Sequence, residues 1–203
     1  QTVSLCDDVT VAVSEGTGKI SCTMNVPYIA TDLRNLAVKA ASLFLNELGR
    51  TDRDINIKIK KNIPTGAGMA GGSADAAAVL RAFNGYFEKP FDESKMLELS
   101  GKVGSDVPFC YIGGTCFAKG RGELLTPISP FPDAVFVIAK PRFSISTPEF
   151  FAKLDNVRLK TVFIPIRQKL SNPSKAEICR ASAAECIMFS NLWTTEGSRL
   201  CPS

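Results

Sequence analysis

Histidine is absent from the 203-residue sequence, and this absence excludes several kinds of chemistry. A hydrolase triad or dyad built on histidine, a histidine general base and a histidine-ligated metal centre are all ruled out. The seven cysteines contain no C-x-x-C pair, which argues against a zinc knuckle or a thioredoxin-like redox motif. Their odd number and scattered spacing are typical of reduced thiols, so we expect a cytoplasmic protein in which they act as small buried side chains.

Long hydrophobic runs are also missing, because no apolar stretch approaches the roughly 20 residues of a membrane helix. Residues 1–8 lack the basic start and apolar centre of a signal peptide. The net charge of +4 is mild. It suits an anionic small molecule and is too weak and scattered to favour nucleic acid. We therefore expect neither a membrane nor a nucleic-acid partner, and the sequence carries no information on oligomeric state.

The first 60 residues predict two strands, a helix and a third strand. Apolar residues alternate at 9, 11 and 13 and again at 20, 22 and 24, and turn-forming residues at 14–18 predict a β-hairpin. Helical spacing follows, with Thr31 or Asp32 as the expected cap and Gly49 as the expected stop. Isoleucines at 55, 57 and 59 then predict a strand with one buried face.

A second group of elements follows the glycine-rich segment 64–73. The first is an alanine-rich helix whose apolar face is Ala76, Val79, Leu80, Phe83 and Phe87. A further helix starts at Asp92, where Phe91 and Met96 occupy hydrophobic-staple positions. Strand-like runs lie at 109–118 and 134–139, and Thr147-Pro148 predicts the start of a short helix. This order of strands and helices indicates an α+β fold.

The last 45 or so residues differ from the rest. Of 15 glycines, 14 lie at or before Gly122, and three of the seven cysteines fall in the final 25 residues. No sustained helical or strand period continues after Thr161. Two interpretations stay open: an irregular carboxyl-terminal segment, or a tail that is not native to the fold before it.

The glycine-rich segment is the strongest chemical signal in the sequence. Gly66-x-Gly68-x-x-Gly71 matches a dinucleotide fingerprint as a string, but the expected second strand is missing before Asp92. A Walker loop is excluded because Gly-Lys-Ser/Thr is absent. Small residues that lead into a helix start favour phosphate, because backbone amides and the helix dipole both attract an anion. A tight turn without a ligand is the alternative.

Ser73 has more than one interpretation. Its hydroxyl is a suitable cap for the helix that follows, and capping alone is at least as well supported as a chemical role. The other interpretation is that Ser73 orients phosphate or a water bound to Mg²⁺.

The segment from Pro64 to Ala77 resembles the second motif of the GHMP kinases (galactose, homoserine, mevalonate and phosphomevalonate kinases). More narrowly, Lys61–Pro64 and Gly104–Phe109 resemble the family of 4-diphosphocytidyl-2-C-methyl-D-erythritol kinases, and so do the segments 4–8, 113–115 and 120–127. The resemblance runs from Gln1 to about Leu154.

The resemblance implies the fold and its division. The chain is expected to contain a GHMP-kinase N-terminal domain of the ribosomal protein S5 domain 2-like type at residues 1–129, with its first strand missing. Residues 130–160 are expected to start the C-terminal domain, and residues 161–203 to form an atypical tail that is poorly ordered.

The resemblance also implies the activity: ATP-dependent phosphorylation of the 2-hydroxyl of 4-diphosphocytidyl-2-C-methyl-D-erythritol, with Mg²⁺, in non-mevalonate isoprenoid synthesis. Asp106 is the implied catalytic residue, Thr147 and Phe151 are the implied contacts with the cytidine substrate, and no side chain is assigned as a metal ligand. The implied ATP-binding residues are Pro64, Thr65, Gly66, Ala67, Gly68, Met69, Ala70, Gly71, Gly72, Ser73 and Ala74.

Family motifs absent from this sequence set the alternatives. The Pro-Ala-Lys-x-Asn-Leu and Gly-Tyr-His motifs of the family's start are absent, as is its third glycine-rich motif. We therefore expect a fragment, with an end read through a shifted frame as one interpretation of the tail and loss of activity as one consequence of the truncation. The alternative functions are another small-molecule GHMP kinase, of the homoserine, sugar or mevalonate type, and a non-catalytic nucleotide-binding fragment.

Overall fold

The computed structural model describes residues 1–130 and 134–140 and two short strands at residues 187–189 and 192–194. In chain order the elements are β1 (Asp8–Glu15), β2 (Ile20–Met24), α1 (Leu36–Leu48), β3 (Arg53–Lys60), α2 (Gly71–Tyr86), α3 (Glu93–Val103), α4 (Val107–Ile112), β4 (Cys116–Lys119), β5 (Leu124–Pro127), β6 (Ile187–Phe189) and β7 (Leu192–Thr194). This mixture confirms the predicted α+β class.

A three-stranded sheet organises the first 60 residues, in the order β1-β3-β2. β3 lies in the middle, antiparallel to β1 and parallel to β2. The predicted hairpin is therefore wrong, since both of its strands form but do not pair with each other. The isoleucines at 55, 57 and 59 are at most 1% exposed, and the central position of the sheet, with a strand on each side, buries such residues best.

The turn between β1 and β2 shows how β3 enters between them. The Gly16 amide donates to the Asp52 carbonyl at 3.1 Å. The Asp54 carboxylate, at the start of β3, accepts from the amides of Thr17 and Lys19 at 2.8 and 2.9 Å. The predicted turn residues thus bind the start of β3 instead of closing a two-stranded hairpin.

Helix α1 begins later than the sequence predicts. The side chain of Asn35 caps it by accepting an amide hydrogen bond at 2.9 Å, so the expected cap at Thr31 or Asp32 is wrong. The Asp32 carbonyl instead accepts from the Asn35 amide at 2.8 Å, which forms a turn ahead of the helix. Gly49 adopts a left-handed φ of 69° and ends the helix as predicted.

Helices α2 and α3 follow the predicted patterns. The expected face of α2 is buried, with Phe87 half-buried at its end. Asp92 caps α3 by accepting from the Lys95 amide at 2.8 Å. Met96 is fully buried and Phe91 packs against the same core, which confirms the predicted staple.

The predicted strand over 109–118 is only half right. Its first part lies in helix α4 and its second part in strand β4. Pro108 near the start of α4 presets a helical φ, and Gly113, with φ at 75°, stops the helix. The predicted strand over 134–139 is not present, and Val135 and Val137 there are 95% exposed.

One face of the sheet carries the core. The isoleucine face of β3 packs against the apolar faces of α1, α2 and α3, while Asn56, Lys58 and Lys60 on the other face are exposed. β4 pairs with β5, and β6 with β7, both antiparallel. Within the described ranges, no helix has the length and apolar character needed to span a bilayer.

Candidate active site

The glycine-rich segment between β3 and α2 forms a tightly curved loop. Gly66, Gly68 and Ala70 all adopt left-handed backbone conformations, with φ of 62°, 68° and 53°. Such alternation turns successive amide groups toward a common concave side, which is an anion-binding arrangement. The small side chains leave that side open, as the sequence predicts.

The loop ends at the first turn of α2. Ala70 occupies the N-cap position, and no side chain caps the helix there. The first intrahelical bond runs from the Ala74 amide to the Ala70 carbonyl at 2.9 Å. The amides of Gly71, Gly72 and Ser73 precede it, so they are the donors that a helix start offers to a ligand.

Ser73 does not cap α2, so the capping interpretation is wrong. Three residues after Ala70, it lies on the first turn and is 7% exposed. The loop leads into the helix through Ala70, a non-glycine residue that itself adopts the left-handed conformation with φ at 53°.

A groove of about 360 Å³ lies along the loop. Every residue from Ile63 to Gly72 lines it, whereas Ser73 and Ala74 do not. The other walls come from β2, the β2–α1 connection, α1, the end of β3 and α2, through Met24, Ile29, Arg34, Asn35, Leu36, Lys61 and Asp75. Arg34 and Lys61 give the groove two cationic side chains.

Lys61 is held between two buried carboxylates at the floor of this groove. Its ammonium donates to Asp7 Oδ2 and, at 2.8 Å, to Asp75 Oδ2. The side chains of Lys61, Asp7 and Asp75 are 5%, 2% and 4% exposed. A buried ion pair needs further hydrogen bonds to offset the loss of hydration, and the two carboxylates differ in this respect.

Asp7 is fully satisfied and Asp75 is not. Asp7 Oδ1 accepts from the amides of Asn62 and Ile63 at 2.6 and 2.8 Å. These bonds and the one from Lys61 outweigh burial and lower the pKa of Asp7. Asp75 Oδ1 is buried without a hydrogen-bond partner, and burial raises the pKa of Asp75 to about 6 despite Lys61.

Asp106 stands immediately before α4. It occupies the N-cap position, but its side chain makes no capping bond to that helix, so a capping role is not what holds it there. Burial raises the pKa of the Asp106 carboxyl above its ordinary value. A Cβ placed on Gly122 would lie 3.6 Å from Asp106 Oδ1, so the β4–β5 turn borders the carboxylate.

Asp106 is not part of the groove lining, but its motif approaches the loop through Leu36. A Cβ on Gly72 would lie 3.8 Å from Leu36 Cδ1, and a Cβ on Gly104 would lie 4.0 Å from the same methyl group. Burial is the main cause that raises the pKa of Cys110 to about 12, and the negative charges of both Asp106 and Asp75 contribute to the increase. The structure thus brings the two motifs near each other, while Thr147 and Phe151 lie outside the described residues.

Residues 35–114, which run from the cap of α1 to the turn after α4, match the model described as the GHMP kinases N terminal domain. These residues are a GHMP kinase N-terminal domain. The match contains the glycine loop, Lys61, Asp75 and Asp106.

Curated relatives of this chain are named 4-diphosphocytidyl-2-C-methyl-D-erythritol kinase. The protein of that name from Clostridium perfringens (strain 13 / Type A) is 45% identical over 155 residues, which are 76% of this chain and 53% of the relative. The one from Clostridium botulinum (strain Eklund 17B / Type B) is 43% identical over 179 residues, 88% of this chain and 62% of the relative. The chain thus spans little more than half the length of these relatives.

Two solved structures resemble this chain. A crystal structure of 4-(cytidine 5'-diphospho)-2C-methyl-D-erythritol kinase is 36% identical, with a TM-score of 0.51, and the match covers 62% of this chain and 43% of that one. Homoserine kinase from Cytophaga hutchinsonii is 19% identical, with a TM-score of 0.54 and coverage of 74% and 56%. The second likeness shows the shared fold alone, and both agree with the predicted fold.

Sequence reasoning missed several residues in and around the groove. Asp7, Lys61 and Asp75 were not singled out as a buried group, although Lys61 continues the parity of the three buried isoleucines in β3. Tyr28 was also missed, and its hydroxyl lies 2.9 Å from Thr65 Oγ1 across the mouth of the loop. No sequence signal indicates that second contact, since it joins two irregular segments.

Proposed function

We propose that this chain binds ATP along the glycine loop and provides the N-terminal domain of a kinase that phosphorylates the 2-hydroxyl of 4-diphosphocytidyl-2-C-methyl-D-erythritol. The names of relatives at 43–45% identity support the substrate. The family model supports the use of ATP. The reaction belongs to non-mevalonate isoprenoid synthesis, and the proposed location is the cytoplasm.

One observation carries the proposal: a curved loop of small residues delivers uncapped amides to a groove at the start of α2. The phosphate chain of ATP is expected along Pro64–Gly72, with Ser73 and Ala74 behind it on the helix. Arg34, which is ion-paired with Asp32 at 2.7 Å, also lines the groove. Phosphoryl transfer depends mainly on such positioning and charge neutralisation.

Mg²⁺ is proposed as the partner of the bound triphosphate. No cluster of three or more acidic or thiol ligands exists within the part of the chain that the structure describes. This fits Mg²⁺ in kinases, which binds through phosphate oxygens, water and at most one or two protein ligands. When bound, it would neutralise charge on the phosphates, and the Ser73 hydroxyl is the side-chain group on the first turn of α2 that would orient one of its waters.

Asp106 is the proposed group that orients the attacking hydroxyl and accepts its proton. An ordinary aspartate is a weak base for an alcohol, and the burial that raises its pKa moves it toward the required range. Thr147 and Phe151 remain the predicted substrate contacts, with Phe151 stacking on cytosine.

A transfer assay with labelled ATP tests this function. The purified chain, Mg²⁺ and 4-diphosphocytidyl-2-C-methyl-D-erythritol are expected to give a labelled product, and CDP is expected to compete. Transfer to homoserine, unaffected by CDP, would contradict the proposed substrate. Saturable ATP binding without any transfer would favour the non-catalytic nucleotide-binding alternative, and no ATP binding would contradict the proposal as a whole.

A further inference from the structure

We infer that Asp7, Lys61 and Asp75 form a clamp that fixes both ends of the glycine loop, and that Asp75 is thereby a positioning residue for the nucleotide. The inference rests on the proposed function, because a nucleotide is the ligand that the loop is proposed to hold. It adds a role for three side chains beneath the loop to the proposed role of the loop's amides.

The start of the loop is fixed by Asp7. One carboxylate oxygen accepts the backbone amides of Asn62 and Ile63, and the other accepts the Lys61 ammonium. The Asn62 side chain also donates to the Cys6 carbonyl at 2.9 Å. The segment before β1 therefore holds Asn62 and Ile63, immediately before Pro64, by two backbone hydrogen bonds and one from the Asn62 side chain.

The end of the loop is fixed by Asp75. This residue lies on α2 and is joined to the end of β3 by the 2.8 Å bond from Lys61. A Cβ on Gly71 would lie 3.1 Å from Lys61 Nζ and 3.1 Å from Ile63 Cγ2. The first residue of α2 thus rests directly on the clamp, and the ammonium sets its distance from the loop's start.

Between the two ends, the loop is anchored by the buried side chain of Met69, which is 8% exposed, and has few other hydrogen bonds among the described residues. Its described bonds outside the clamp are the Ala74–Ala70 backbone bond and the contact between Thr65 and Tyr28. Three of its residues lie in the left-handed region, so the curvature depends on where the flanking residues are held. Amides that bind a phosphate chain must be placed to a fraction of an ångström.

Asp75 offers a variant that separates positioning from stability. Asp75 Oδ1 is buried without a hydrogen-bond partner, and burial disfavours the charged form of this carboxylate. Removal of the Asp75 carboxylate therefore takes away a group that costs stability in part. Lys61 keeps its bond to Asp7 in the Asp75→Ala variant. The Asp75→Asn variant keeps an oxygen that accepts from Lys61, and so keeps the clamp without the charge.

The test is ATP titration of the full chain by calorimetry, with thermal unfolding of the same samples. Asp75→Ala is expected to weaken ATP binding about tenfold or more, the loss of one charge-assisted bond, with an unfolding midpoint no lower than that of the unchanged chain. The ATP dissociation constant of Asp75→Asn is expected to lie within about threefold of that of the unchanged chain. Asp8→Ala is the matched control, since Asp8 lies on the exposed face and its ion pair among the described residues is with exposed Lys60.

Equal ATP affinity in Asp75→Ala and the unchanged chain would overturn the clamp, and so would an equal loss in Asp75→Ala and Asp75→Asn. If the unchanged chain binds no ATP, the proposed function fails and amide hydrogen exchange at residues 71–75 still decides the clamp. Faster exchange in Asp75→Ala but not in Asp75→Asn supports it, and the same exchange in all three proteins overturns it.

Discussion

Asp7 and Asp8 are adjacent in sequence and lie in opposite environments, as do Lys60 and Lys61. Asp8 and Lys60 are register partners on the exposed face, with their side chains more than half exposed. Asp7 comes one residue before β1 and Lys61 one residue after β3, and the alternation of β structure turns both side chains toward the core. The alternation of side chains along β3 predicts that Lys61 is buried on the same face as the isoleucines before it. Its two carboxylate partners lie in other segments, and that alternation does not predict them.

Asp75 predicts an unusual dependence of stability on pH. Its folded pKa of about 6 lies above its ordinary value of 3.8, so the native state holds the proton more tightly. The resulting stabilisation is complete below pH 3.8 and is lost as the pH rises through 6. It amounts to at most about 3 kcal/mol in the free energy of unfolding.

Urea unfolding at pH 4.5 and pH 7 measures this effect. The free energy of unfolding of Asp75→Asn, minus that of the unchanged chain, is expected to increase between the two pH values, because only the unchanged chain ionises at this position. Asp7, whose pKa is lowered, loses its stabilising contribution only as the pH falls below about 3.8, outside this window. A difference that does not vary with pH would contradict the account of Asp75.

Asp106 predicts a separation of binding from turnover. Asp106→Asn keeps the shape of the side chain but removes the proton acceptor, so any transfer rate is expected to fall by about 10²–10⁴-fold. ATP affinity is expected to stay near normal, because Asp106 does not line the groove. Steady-state kinetics and ATP titration on the same preparations check both parts. A variant with full turnover would exclude Asp106 as the base.

The helices and strands show where sequence patterns suffice and where they do not. The start and stop of α3 and the stop of α1 follow from a capping aspartate and terminal glycines, which are local signals. The order β1-β3-β2 depends on hydrogen bonds from the turn after β1 to Asp52 and Asp54, almost 40 residues away. The run at 109–118 divides between helix and strand because Pro108 and Gly113 override its β-favouring composition.

The loop and α2 predict a difference between the two glycines at the start of the helix and the one near its end. Gly71→Val places a branched side chain against Lys61 and Ile63, so ATP binding is expected to weaken about tenfold or more with the fold retained. Gly72→Val is expected to act in the same direction, because its amide belongs to the same helix start. Gly85→Val is the matched control, since nothing lies within 4 Å of a Cβ at that position of α2. Unchanged ATP affinity in Gly71→Val and Gly72→Val would reduce the loop to a structural turn.

The molecule as a whole was predictable in class and family but not in the geometry of its site. The α+β class and the GHMP kinase domain follow from the alternation of elements and from two motifs. The approach of those motifs through Leu36, and the buried group under the loop, require three segments to meet that are far apart in the chain. The predicted substrate contacts at Thr147 and Phe151 and the division at residues 129 and 160 stay predictions.

The most direct test of the account is a map of backbone amide chemical shifts during titration with a non-hydrolysable ATP analogue and Mg²⁺. Saturable shifts are expected to concentrate on residues 65–72 and on Asn35 and Leu36 at the start of α1, which line the same groove. A second groove, bordered by α3, α4 and β5, serves as the internal control. Shifts that cluster there, or an absence of saturable shifts along the glycine loop, would contradict the claim that this loop binds the nucleotide.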